Sequence, residues 1–293
     1  MIFGRAVKVG RESPLYEAES LAAAVPAFLL EAATIARMMR SGEHSRRRSG
    51  DGDSFWQFRP HQAGDEASKI DWRRSARGET LYVREKEWAT AAVAHLWADA
   101  SPSMRWRSSR RWPEKARRAL VLATALGFLL VEAGEAVCFL GSMLPPATDA
   151  KGIVRLLEEK AALPPDAALP VPPERRGKIV LISDFLFDPD KTEQAIAALA
   201  ATGCKAHLLH LLDPAEQEWE WRGRILFSGT KGEDDTLVAA AEELRESYRN
   251  RMESFRLGLA ETARREGWSF QSGLTGQPPL ETLAALCNAV GGL

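Results

Sequence analysis

Apolar residues follow two patterns along this chain. Short aliphatic runs bounded by charge predict buried strands, and longer segments with apolar residues every three or four positions predict helices. Ala91 to Ala98 predicts a buried strand, and Pro113 to Glu132 a helix whose second half is wholly apolar. Ala136 to Leu140 predicts a second strand and Lys151 to Ala162 a helix. After a Pro-rich linker, Leu163 to Pro173, Lys178 to Ile182 predicts a strand ending on Ser183-Asp184. Pro189 to Thr202 predicts an Ala-rich helix with Gly203 as its cap. Lys205 to Leu212 predicts a further strand, Arg224 to Phe227 an edge strand, and Asp234 to Glu266 one long charged helix or a pair. Trp268 to Phe270 predicts the last strand and Pro279 to Ala289 the last helix. Strands alternating with helices imply an α/β fold, with helices flanking a mainly parallel sheet.

The N-terminal part differs. Leu15 to Met39 predicts a helix marked by Pro26, and Arg46 to Arg48 sit in a basic, Gly-containing loop. From Phe55 to Arg84, aromatic residues (Phe55, Trp56, Phe58, Trp72) alternate with charges. Such a stretch can bind single-stranded nucleic acid. It can also be a small cap in which the Trp rings pack and Asp65 and Asp71 pair with Arg59, Arg73, Arg74 or Arg77. The cap is favoured, because the acids leave no groove of one sign. A chain of 293 residues is long for a single core. The expected division is a helix and Arg/Trp-rich cap module over residues 1–90 and an α/β domain over residues 91–293.

A net charge of −1 gives no global reason to bind nucleic acid. The three cysteines, Cys138, Cys204 and Cys287, lie far apart in apolar runs and read as buried free thiols. The N-terminus has no signal-peptide pattern. The longest apolar run, Ala119 to Val131, falls short of the ~20 residues a membrane span needs. These features predict a soluble, cytoplasmic protein.

The chemistry is concentrated where the first buried strand ends. Asp99, Ser101 and Ser103 form D-x-S-x-S, and Asp184 ends the Lys178 strand. In an open parallel sheet, strand ends share one rim and ligands bind there. Hard oxygen donors on a tight loop suit Mg²⁺ or Mn²⁺. The same residues also suit an ordinary turn or helix cap. Arg105, Arg107, Arg110, Arg111, Lys115, Arg117 and Arg118 follow at once. That charge disfavours a bare cation and favours an acidic partner. His95 shares a strand face with Asp99 and reads as a packing or hydrogen-bonding residue. His207 and His210 point to opposite faces of one strand, so they are not co-ligands. There is no G-x-S-x-G elbow, no phosphate-binding G-x-x-x-x-G-K-[ST] loop and no H-E-x-x-H.

Asp99-Ala-Ser101-Pro-Ser103-Met104 resembles the metal-ion-dependent adhesion site of von Willebrand factor A domains. Gly52 to Phe55, Gly64-Asp65, Ile70 to Arg73, Ala76-Arg77, Leu81 to Glu85 and Leu181 to Phe185 are similar to the signature of the "domain of unknown function 58" family. The resemblance implies a von Willebrand factor A-like, Rossmann-type sheet with an N-terminal helical and β appendage. It implies a bacterial, non-enzymatic protein-interaction module, associated with MoxR-type AAA+ ATPases in assembly or chaperone-like work. Carried over by position, the metal ligands are Asp99, Ser101, Ser103 and Asp184. The middle-loop Thr of such sites falls on Thr148, the one candidate, in a Pro-Pro loop without a clear motif. The bound ion would be Mg²⁺ or Mn²⁺, its open position filled by a partner's carboxylate. The alternatives are a metal-dependent phosphoesterase and nucleic-acid binding through the Arg-rich N-terminal module.

Overall fold

The computed structural model describes residues 32, 34–36, 38, 55–61, 72–76, 81–86, 93–162, 169–173, 177–229 and 234–290. They belong to two units, one of Glu43–Ala92 and one of Met1–Gly42 with Val93–Leu293.

In the smaller unit, β1 (Phe55–Pro60) pairs antiparallel with β2 (Tyr82–Lys86), placing Phe58 opposite Arg84. A single helical turn, α1 (Trp72–Ser75), lies between them in sequence. Ser75 is buried, and its Oγ accepts the Tyr82 amide at 2.9 Å. Trp72, expected to pack within a cap, is 62% exposed. Arg46 to Arg48, Asp65, Asp71 and the side chain of Trp56 lie outside the described residues.

The larger unit runs β3 (Val93–Ala98), α2 (Lys115–Glu132), β4 (Ala136–Phe139), α3 (Ala150–Ala162), β5 (Gly177–Ser183), α4 (Pro189–Ala201), β6 (Lys205–Leu212), α5 (Pro214–Gln217), β7 (Ile225–Phe227), β8 (Thr236–Val238), α6 (Arg245–Arg265), β9 (Ser269–Leu274) and α7 (Pro279–Val290). Five of the strands form one sheet in the order β4-β3-β5-β6-β9, every neighbouring pair parallel. Parallel strands buried on both faces read as continuous apolar runs, which is why β3, β5 and β6 stand out in the sequence. The period of two divides their side chains. Ala94, Leu96, Ala98, Val180, Ile182, Leu209 and Leu211 pack with α2, α3 and α7. Trp97, Ile179, Leu181 and Leu208 pack with α4 and α6. The fold class is therefore α/β, with helices on both faces of a parallel sheet.

Several local expectations are revised. Of the helix expected over Leu15 to Met39, the described residues Ala32, Ile35 and Ala36 are buried in the larger unit's core. These described residues fall in the unit that also holds Val93–Leu293. Ile225–Phe227 is a strand as expected, and among the described residues it pairs with Thr236–Val238 in a separate antiparallel ribbon. That ribbon also takes the start of the segment read as charged helix, and α6 begins at Arg245. Pro113 precedes α2 rather than opening it, since Glu114 is the N-cap.

The strand order places the site. β3 connects outward to β4, and the chain then crosses back to β5 on the other side of β3. The direction of the connections reverses between β3 and β5, and in open α/β sheets ligands bind beyond the carboxyl ends of the strands at such a switch point.

Candidate functional site at the β3 and β5 strand ends

The β3–β5 ladder extends one residue past Ala98, because the Asp99 amide donates to Ile182 O at 3.0 Å. This sets Asp99 beside Ser183, whose Oγ donates to Asp99 Oδ2 at 2.6 Å. Asp99 Oδ1 accepts the Ser101 amide at 2.7 Å and so folds the loop back over the strand end. A 3₁₀ turn, Pro102–Arg105, follows, with Met104 fully buried as its anchor. The turn brings Ser101 Oγ and Ser103 Oγ to 3.2 Å from each other. Ser103 Oγ in turn donates to Asp184 Oδ1 at 3.2 Å. Asp99, Ser101, Ser103 and Asp184 thus form one connected polar cluster, drawn from two adjacent strand ends.

Phe185, directly after Asp184, has φ of 54°. A left-handed conformation is costly for a bulky residue and persists only where its surroundings hold it. Here the ring is 1% exposed in the core, and the Phe185 amide donates to Ser183 Oγ at 2.8 Å. The Leu186 amide donates to Asp184 Oδ1 at 3.1 Å. Burial of the ring therefore fixes the turn that aims Asp184.

Thr148 does not join the cluster. After β4 the chain doubles back along that strand's outer edge, and Ala147 forms an antiparallel bridge with Val137. Val137 is level with Ala94, near the start of β3. Thr148 is exposed there, roughly 16 Å down the sheet from the level of Asp99 at ~3.3 Å per residue. Spacing in sequence gave no warning of this, because the bridge is a tertiary contact.

Lys115 was read only as one of a run of basic residues, but it is the cation of the site. As the first residue of α2 it is fully buried, and its Nζ donates to Asp184 Oδ2 at 2.9 Å and to Glu216 Oε1 at 2.5 Å. Burial disfavours the ammonium, yet the carboxylates of Asp184 and Glu216 outweigh it and hold its pKa above the ordinary value. Glu216 is positioned by a capping box at α5: Asp213 Oδ1 accepts the Ala215 amide, and Glu216 Oε2 accepts the Asp213 amide at 2.8 Å. Asp213 Oδ2 also accepts the Ser108 amide at 3.1 Å, tying the loop after Ser103 to the end of β6. The signal available in sequence was Asp213-Pro-Ala-Glu216 itself, a D-x-x-E pattern at a strand end.

Asp99 has no such cation. Burial, with Asp184 nearby, raises it to about 6, although the bonds from Ser183 and Ser101 pull the other way. No ammonium or guanidinium among the described residues pairs with it. Among the described residues, no three His, Cys, Asp or Glu side chains converge to hold a metal. An ion at this rim would rest on one or two carboxylates, hydroxyls and water. Asp99, Ser101 and Ser103 fit that requirement in donor type, and the uncompensated Asp99 carboxylate supplies the charge.

The other residues singled out take structural places. His95 Nδ1 lies 3.0 Å from Cys138 Sγ across the β3–β4 pair. His207 Nδ1 bonds Ser269 Oγ at 2.8 Å, while His210 is surrounded by the rings of Phe185, Phe255 and Phe270. All three cysteines are free, Cys204 and Cys287 buried and Cys138 half-buried.

Comparison with known proteins agrees with the sequence signature. The family described as "Protein of unknown function DUF58" matches residues 57–256, and the chain belongs to that family. No curated protein matches it. Among solved structures, the chain is similar to an aerotolerance-related membrane protein from Bacteroides fragilis, with a TM-score of 0.40 and 15% identity over 68% of this chain and 98% of that one. A second is an uncharacterized membrane-spanning protein from Vibrio fischeri, with a TM-score of 0.19 and 14% identity over 67% of this chain and 97% of that one. Among the described residues of the present chain, no helix is long and apolar enough to cross a membrane.

Proposed function

We propose that this chain is a non-enzymatic, von Willebrand factor A-like interaction module of the cytoplasm, which binds a partner's Asp or Glu through a divalent cation. Asp99, Ser101 and Ser103 hold Mg²⁺ or Mn²⁺, and Asp184 supports the ion from the second strand. The ion is a charge bridge: it makes docking depend on one partner carboxylate. Ser103 is the most exposed of the four, at 8% against 0–1% for the others, and marks the side from which a partner approaches. The half-buried Arg105 and exposed Arg107 add attraction for an acidic surface. The partner class is a MoxR-type AAA+ ATPase, following the family resemblance.

The observation that carries the reading is the convergence of Asp99, Ser101, Ser103 and Asp184 at the ends of β3 and β5, with no cation paired with Asp99 among the described residues. The test is a calorimetric titration of Mg²⁺ and Mn²⁺ into wild type and a folded Asp99→Ala variant. Binding in wild type and its loss in the variant are expected. Absence of binding in wild type overturns the metal bridge. Turnover of a generic phosphoester that disappears in Asp99→Ala replaces the non-enzymatic reading with a phosphoesterase.

A further inference from the structure

We infer that Lys115 is a built-in cation that competes with the divalent ion for Asp184 and thereby sets how tightly the rim binds metal. The inference rests on the divalent site proposed above and adds its control element.

Three observations carry it. Lys115 is fully buried and bonded to two carboxylates from different strand ends, Asp184 after β5 and Glu216 after β6. Its ammonium is therefore a fixed part of the cluster and not a solvated charge. Asp184 is already engaged on both oxygens: Oδ2 takes Lys115, and Oδ1 takes Ser103 Oγ and the Leu186 amide. Asp99 meets the Ser101 amide and serine hydroxyls but no cation among the described residues, so the cluster is neutralised at one acid and open at the other.

A divalent ion held by Asp99, Ser101 and Ser103 shares Asp184 with the ammonium. Two cations on one buried carboxylate repel in surroundings that screen them poorly. Ligation through Asp184 Oδ1, the oxygen beside Ser103, leaves Lys115 on Oδ2 and makes two cations share one carboxylate. While Lys115 keeps that bond it offsets the Asp184 charge, so Asp99 is the one uncompensated carboxylate beside the ion and binding is weak. Lys115 also does part of a metal's structural work, holding the β5 and β6 ends together without an ion. It is a positioning residue: it acts on the ion through Asp184.

The test compares Mn²⁺ affinity and the Mg²⁺ dependence of the melting temperature in the full chain and its variants. Lys115→Met leaves two acids uncompensated, so the main comparison is the double variant Lys115→Met/Glu216→Gln, which removes charge of both signs and keeps the capping pattern. Mn²⁺ binding at least tenfold tighter than wild type is expected, with a melting temperature that rises with Mg²⁺. Adding Asp184→Asn should return the affinity to the wild-type level. If wild type binds Mn²⁺ and the double variant binds it no tighter, this inference is overturned and the metal bridge stands. If the double variant binds and wild type does not, Lys115 holds the cation position outright, and the metal bridge fails for the natural chain. Absence of binding in both overturns both.

Discussion

Lys115 Nζ stands 2.9 Å from Asp184 Oδ2, and neither side chain has any contact with solvent. Removing one partner of such a pair leaves a buried charge without compensation, at a cost of ~3–5 kcal/mol. Lys115→Met should lower stability by that amount in chelator-treated protein, read from urea unfolding. Glu216→Gln, which leaves the Lys115–Asp184 bond in place, should cost about 1–3 kcal/mol. Equal effects of the two would show that Asp184 is not the principal partner.

Ser183 serves two groups at once, donating to Asp99 Oδ2 and accepting the Phe185 amide. Ser183→Ala strands both and should cost about 1–3 kcal/mol. It should also raise the Asp99 carboxyl further, since the lost bond favours the charged form. NMR of the Asp99 carboxyl carbon across pH reads this directly, and an unchanged midpoint would contradict it.

Two buried histidines should contribute stability that is lost in mild acid. Burial chiefly, with Lys178 and Lys205 beside His207 and Lys115 and Arg256 beside His210, lowers both from 6.5 to about 4. The folded state then binds fewer protons than the unfolded chain between those values. The stability is present above pH 6.5 and is lost as pH falls towards 4. Asp99, raised to about 6, and Glu216, also raised by burial, work in the opposite sense, so the histidine contribution is read from the difference between variant and wild type. His210 lies among the rings of Phe185, Phe255 and Phe270, so Phe can replace it there. His210→Phe should remove about 3 kcal/mol of the acid-induced loss. Superimposable unfolding curves for variant and wild type from pH 7 to 4 would refute this.

Thr148→Ala should leave Mn²⁺ affinity and melting temperature within error of wild type, because the residue is exposed on the outer edge of β4. A tenfold loss of affinity would mean that the loop reaches the rim after all.

Gly177 opens β5 where the strand meets β3, and a Cβ there would sit 1.9 Å from Val93 O. Relief requires the two backbones to part, so Gly177→Ala should destabilise by about 3 kcal/mol or more, as severe overpacking does. Circular dichroism melts of the purified variant would show it.

The sheet was legible because β3, β5 and β6 are buried on both faces and carry acids or hydroxyls at their ends. Asp99 and Asp184 could be placed on one rim from that pattern alone. Lys115 could not, since nothing local separates it from Arg111 or Arg117; only the docking of α2 shows which basic residue is turned inward. Thr148 failed for the converse reason. Its residue type suited the chemistry, but the chain reverses after β4 and carries it away. The ribbon of β7 and β8 was missed because three-residue strands in a charged segment leave no period to read.

Asp99 is fastened to β5 by its own amide at Ile182 O and by its carboxylate at Ser183 Oγ. A one-residue slip between two strands would turn every side chain to the wrong face, so the register is already strongly set. The carboxylate adds a latch at the end of that register. Whatever is tethered at Asp99 therefore pulls along the backbones of two adjacent strands inside the sheet rather than on a pliant loop, and a load applied at the rim is carried directly into the stiffest part of the molecule.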